Sequence, residues 1–134
     1  MLGKAKFATL MPIKNMNRAI RFYTKSLGGK LQERATGAMK NDWASVKVAG
    51  EQIWLITPSK REKRTVAYST FVVSDIKRTV KALTKSGVKF DKAEDMGPGT
   101  RIEGPIAYAP WGASAFFQDS EGNLLMVWQN FPPM

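Results

Sequence analysis

The chain has 134 residues, enough for one compact domain with a sizeable core, and 43% of them are hydrophobic. It contains neither cysteine nor histidine, which excludes disulfides, thiolate metal sites, cysteine nucleophiles and imidazole acid–base chemistry; catalysis would fall to Asp, Glu, Lys or Tyr. Twenty-one Lys and Arg against eleven Asp and Glu leave a formal net charge of +10, which either favours anionic partners or simply keeps the surface solvated.

In chain order, Met1-Leu2-Gly3-Lys4-Ala5 reads as a tail that carries charge but leads into no long apolar run. No stretch approaches the ~18 apolar residues of a membrane span, so the expectation is a cytoplasmic protein with no membrane partner. Phe7 to Ile13 is a β-rich run. Asn15 is a candidate helix cap, and Met16, Ala19, Ile20, Tyr23 and Leu27 follow at helical spacing until Gly28-Gly29 stops the helix. Extended segments are expected at 30–35, 42–48 and 52–57, the last two joined by the turn Ala49-Gly50-Glu51. Pro58 to Arg64 is a polar, basic linker.

The pattern then starts again. Residues 8–31 can be laid on 68–90 with a single one-residue gap: Arg18 meets Arg78, Thr24-Lys25-Ser26 meets Thr84-Lys85-Ser86 and, past the gap, Gly28 meets Gly87. Tyr68 to Val73 is the matching strand, Ser74 or Asp75 the cap, and Ile76, Val80 and Leu83 the apolar stripe. Extended segments are expected at 88–92, 113–118 and 123–128, with Asp119 to Asn123 as a hairpin loop in which Gly122 supplies positive φ. Glu94 to Tyr108, containing Gly97-Pro98-Gly99, reads as a long loop or lid, and Phe131-Pro132-Pro133-Met134 as a second tail. The sequence thus predicts two βαβββ modules, about 5–57 and about 65–130, separated by the linker 58–64.

Several stretches narrow this further. Pro12-Ile13-Lys14-Asn15-Met16-Asn17-Arg18-Ala19-Ile20-Arg21-Phe22-Tyr23, then Phe71-Val72-Val73-Ser74-Asp75-Ile76, then Pro110-Trp111-Gly112 with Phe116-Phe117-Gln118-Asp119-Ser120-Glu121-Gly122-Asn123-Leu124, resemble the module openings and closing hairpin of the glyoxalase/bleomycin-resistance/dioxygenase (vicinal oxygen chelate) superfamily. The resemblance spans essentially the whole chain, and its hairpin is the most specific part. It implies an α+β fold in which two curved sheets enclose a central cavity.

In metal-using relatives, four strand positions, usually His, Gln or Glu, hold one divalent ion. Carried over by the resemblance, they fall on Ala8, Trp54, Tyr68 and Met126. Ala8 has no donor, the Trp54 indole only donates, Met126 offers a soft sulfur, and a lone Tyr68 phenolate does not make a site. The resemblance therefore implies a member without a metal or other cofactor, whose cavity is lined by Trp54, Tyr68 and Met126 and suits a small organic molecule.

Trp43 and Trp111 are read as pocket walls or as closures of a sheet edge or dimer seam. Tyr108 is placed to hydrogen-bond a ligand, and Arg101 either to hold an anionic group or to sit as a solvated loop charge. Trp128 is read as core. The basic residues Lys14, Arg18, Arg21 and Lys25, and Lys77, Arg78, Lys81 and Lys85, follow the helix period as solvated faces.

The expectation is a metal-independent binding protein for a small neutral or anionic molecule, such as an antibiotic or metabolite that it sequesters. The resemblance also implies a homodimer, with the tails contributing to its seam. A metal-independent lyase or isomerase using Tyr68 or Glu103 is the second reading. A basic nucleic-acid-associated protein is the third, disfavoured because no aromatic residues interleave the basic ones.

Overall fold

The computed structural model describes residues 3–4, 7–58 and 67–132. Most of the basic linker, and the ends of both tails, lie outside the described residues. The chain divides into two compact units, Met1–Lys63 and Arg64–Met134. Each is built from one mixed sheet and one principal helix, which makes the protein α+β. No helix among the described residues is long and apolar enough to cross a membrane.

In the first unit, β1 (Ala8–Pro12), β2 (Lys30–Arg34), β3 (Trp43–Val48) and β4 (Glu51–Ile56) form a sheet of order β1-β4-β3-β2. The β1–β4 pair is parallel and the others antiparallel. Helix α1 (Met16–Arg21) starts where the Asn15 side chain accepts a hydrogen bond from the Arg18 N–H at 3.0 Å, satisfying one of the free donors of a helix start. Strand alternation sends Met11, Ala44, Val46, Val48, Ile53 and Leu55 to one face, where they are buried with Met16, Ala19 and Tyr23 of the helical segment. Strands β3 and β4 meet in a two-residue turn in which Ala49 (φ 55°) and Gly50 (φ 77°) are both left-handed, the geometry that matches strand twist.

Helix α1 runs directly into a π-helical turn, Phe22–Ser26, whose closing Leu27 N–H bonds to the Phe22 carbonyl, five residues back. A π-turn takes up one surplus residue in a helix. That surplus is the one-residue gap in the repeat: thirteen positions separate the cap Asn15 from left-handed Gly28, but twelve separate Asp75 from Gly87.

In the second unit, β5 (Ser69–Val72), β6 (Arg101–Glu103), β7 (Ile106–Ala109), β8 (Gly112–Gln118) and β9 (Leu124–Asn130) form a sheet of order β5-β9-β8-β7-β6, with β5–β9 parallel. Helix α2 (Ile76–Lys85) is capped by Asp75, not Ser74: the carboxylate accepts from the Arg78 N–H at 3.1 Å. The hairpin loop after β8 is knotted by Asp119. One carboxylate oxygen accepts from the N–H groups of Glu121 and Asn123 and the other from the Asn123 amide, each at 2.8 Å, so this buried acid is fully engaged.

Two expectations are corrected here. The strand expected at 88–92 is reduced to a single bridge between Phe90 and Phe117, supported by the Asp91 N–H bonding to the Phe116 carbonyl. The 94–108 stretch is a loop only in its first part; its second part is the hairpin β6–β7, turning at Gly104 (φ 58°), and this hairpin takes the place beside β8. The tail residue Phe131 is docked: its N–H bonds to the Trp111 carbonyl and its ring stacks on Tyr108 at 6.5 Å.

Candidate functional site

Each sheet has one face covered by its own helix, and the residues of opposite parity lie on the other face. In the first unit this open face carries Ala8 and Leu10 of β1, Gln52, Trp54 and Ile56 of β4, and Trp43 and Ser45 of β3; pairing sets Leu10 beside Trp54, and Ser45 across from it. The structure therefore brings three of the expected residues, Ala8, Trp43 and Trp54, to one surface. The two indoles stand 6.4 Å apart with their planes tilted by 30°. They line a depression of about 500 Å³ with Glu33, Asp42, Ser45, Gln52, Ile56 and Thr57. Trp54 is 42% exposed and Leu10 61%, unusual values for large apolar groups in mid-strand.

The open face of the second unit carries Tyr68, Thr70 and Val72, then Met126 and Trp128, then Phe116, Ser114 and Gly112. Tyr68 extends β5, its N–H bonding to the Leu124 carbonyl at 2.8 Å, which sets it on the same face as Met126. Trp128, read from the sequence as core, is half-buried on this face; its Nε1 donates to Asn130 Oδ1 at 2.9 Å and its ring lies across Gly112 so closely that a Cβ there would sit 2.2 Å from it. The loop before β6 reaches this face through Met96, whose sulfur accepts from the Ser114 hydroxyl at 3.5 Å.

Tyr108 and Arg101 are elsewhere. Tyr108 pairs with Ala113, and Arg101 with Tyr108, so both belong to the face opposite Ser114 and Trp128. There the Arg101 guanidinium lies 4.4 Å from the centre of the Tyr108 ring. Glu103 accepts from Lys77 of α2 and from Arg101, each at 2.9 Å. The hydrogen bond from Lys77, then that from Arg101, holds the Glu103 carboxyl below its ordinary range, while the hydrogen bond to Glu103 raises the Lys77 ammonium. These groups are exposed, and such pairs add little stability. Trp111 sits in the turn between β7 and β8, 50% exposed.

The sequence reading missed Glu33, Asp42, Ser45 and Gln52. The signal was present for two of them: a period of two from Trp43 selects Ser45, and from Trp54 selects Gln52 and Ile56. As for a divalent ion, the donor set does not fit one. Ala8 and Trp54 supply no lone pair, and among the described residues no three His, Cys, Asp or Glu are grouped to hold a cation.

These features define a duplicated α+β protein with a helix-covered and an open face on each sheet. Residues 7–127 match the model of the Glyoxalase/Bleomycin resistance protein/Dioxygenase superfamily, and the chain belongs to that superfamily. Among solved structures it is similar to TnmS3, an antibiotic binding protein from Streptomyces sp. CB03234, with 20% identity over 97% of this chain and 98% of that one and a TM-score of 0.71. A superfamily member from Alicyclobacillus acidocaldarius matches with 21% identity over 96% and 92% of the two chains and a TM-score of 0.67. The fosfomycin resistance protein FosX from Listeria monocytogenes matches with 15% identity over 95% and 91% and a TM-score of 0.69. No curated protein matches the chain.

Proposed function

We propose that this protein binds a small organic molecule without a metal ion, and that the Trp43–Trp54 surface of the first unit is where the molecule docks. The observation that carries the reading is the indole pair, half-open to solvent on the floor of a depression of about 500 Å³. That volume falls in the range of small-molecule sites. A ring laid on Trp54 would remove roughly 100 Å² of indole surface from water, worth about 2–3 kcal/mol. The antibiotic-binding description of TnmS3 agrees with sequestration of a drug or metabolite. A metal-independent mode is supported by the donor chemistry of Ala8 and Trp54.

The test is calorimetry with flat bicyclic aromatics, quinoline being the reference probe. Binding is expected in the native chain, and loss of binding in Trp54→Ala with folding intact. Undiminished binding in Trp54→Ala refutes the placement of the site. Thermal-shift measurements with Zn, Ni, Mn and Fe salts are expected to give no stabilisation; a clear rise with one of them refutes metal independence.

A further inference from the structure

The net charge of +10 points to an anionic ligand, but the lining of the depression points the other way. Among its lining residues are two carboxylates, Glu33 and Asp42, and no Lys or Arg. Among the described residues neither carboxylate has an ion-pair partner: the ion pairs converge on Glu103 in the other unit. Of the cations nearest in sequence, Arg34 is engaged elsewhere and Lys47 stands at the edge of this face. Arg34, next to Glu33, donates through Nε to the Lys40 carbonyl and through Nη2 to Asn41 Oδ1, so its guanidinium braces the loop before β3. Lys47 shares the face of Ser45 one pleat further along β3, between Lys30 on one side and the lining residue Gln52 on the other.

A second observation is independent of the acids. Ser45 lines the same depression, is only 2% exposed, and its hydroxyl makes no hydrogen bond among the described residues. No wholly buried side-chain nitrogen or oxygen among the described residues lacks a partner, so the Ser45 hydroxyl, unbonded within the chain, reaches the hollow and is free to meet whatever fills it. Two indole faces, two unpaired carboxylates and one unbonded hydroxyl converge on one hollow.

We propose that the ligand of this site is an organic cation, a flat aromatic ring bearing a protonated or quaternary nitrogen. This rests on the reading of the depression as the binding site. The ring stacks on indole, whose face attracts positive charge, while Glu33 and Asp42 supply the counter-charge. At about 0.15 M salt, charges more than ~8 Å away are largely screened, so the +10 of the whole surface weighs less here than the carboxylates that line the hollow.

The experiment compares three probes of one shape by calorimetry on the full chain near neutral pH: N-methylquinolinium, quinoline and 2-naphthoate. The cation is expected to bind roughly tenfold or more tightly than neutral quinoline, and the anion more weakly than quinoline. In the double variant Glu33→Gln/Asp42→Asn the cation is expected to lose its advantage over quinoline, with Tm unchanged. Equal binding of the cation and quinoline, or tighter binding of 2-naphthoate, overturns the proposal. The two readings fail differently: if no probe binds, or binding survives Trp54→Ala, the site itself is wrong. If quinoline binds through Trp54 with no preference for charge, only the cation inference falls.

Discussion

The close approach of Trp128 to Gly112 gives the sharpest structural prediction. A Cβ on Gly112 would stand 2.2 Å and 2.6 Å from two atoms of the Trp128 ring and 2.7 Å from the Gln129 carbonyl oxygen. Non-bonded carbons rest at about 3.5–4.0 Å, so Gly112→Ala forces the ring to swing away by more than an ångström. Overpacking of this kind costs about 1–3 kcal/mol, and the swing also breaks the Trp128–Asn130 hydrogen bond, worth about 1 kcal/mol. The expected total is about 3 kcal/mol, or a Tm lower by roughly 10 °C for a chain of this size. The assay is urea denaturation of Gly112→Ala, Trp128→Ala and the double variant. With the indole gone, only the Gln129 oxygen opposes the new methyl, and the Gly112→Ala step is expected to shrink to about 1 kcal/mol, a coupling of about 2 kcal/mol. Strictly additive costs would refute the claim that the ring is what demands glycine here.

Three further outcomes are expected. Ala49 is a non-glycine residue at φ 55°, so Ala49→Asn, which creates an Asn-Gly turn, should raise stability by about 0.5–1 kcal/mol in denaturant melts. Asn15→Ala and Asp75→Ala each remove a helix cap and should each cost about 1 kcal/mol, with Asn15→Asp nearly neutral; a cost for one and none for the other would contradict their equivalent roles. For Glu103, carbon-detected NMR titration should find the carboxyl below its ordinary value in the native chain and shifted upward in Lys77→Met. Because its folded value is depressed, whatever stability it adds is present above the ordinary carboxylate range and is lost as pH falls through the folded value.

The strands of the first unit were legible because each buries one face, and alternation of apolar and polar residues follows from that. Ala44, Val46 and Val48 against Trp43, Ser45 and Lys47 is a period of two that fixes both the strand and its register. The β6–β7 hairpin was not legible. Arg101–Glu103 is short and wholly exposed, so no alternation marks it, and its turn at Gly104-Pro105 reads equally well as loop. The face taken by Tyr108 and Arg101 was hidden with it, since only the pairing of Tyr108 with Ala113 reveals it. The π-turn left one trace in the sequence, the gap that interrupts the repeat, but a gap alone does not say whether a helix or a loop absorbs it. The charge of the site was hidden for a different reason. Net charge sums over the whole surface, whereas Glu33 and Asp42 matter only because strand pairing and the turn before β3 bring them to the indoles.

The spacing of Trp43 and Trp54 has an optical consequence. At 6.4 Å between ring centres the gap is too narrow for a third ring, which needs about 3.5 Å of clearance on each side, so a guest must lie over the pair instead of sliding between its members. Two indoles this near, and not parallel, also share their electronic excitation, and the chain should carry a built-in exciton couplet in its far-ultraviolet circular dichroism. The couplet would report the angle between the rings with no label attached.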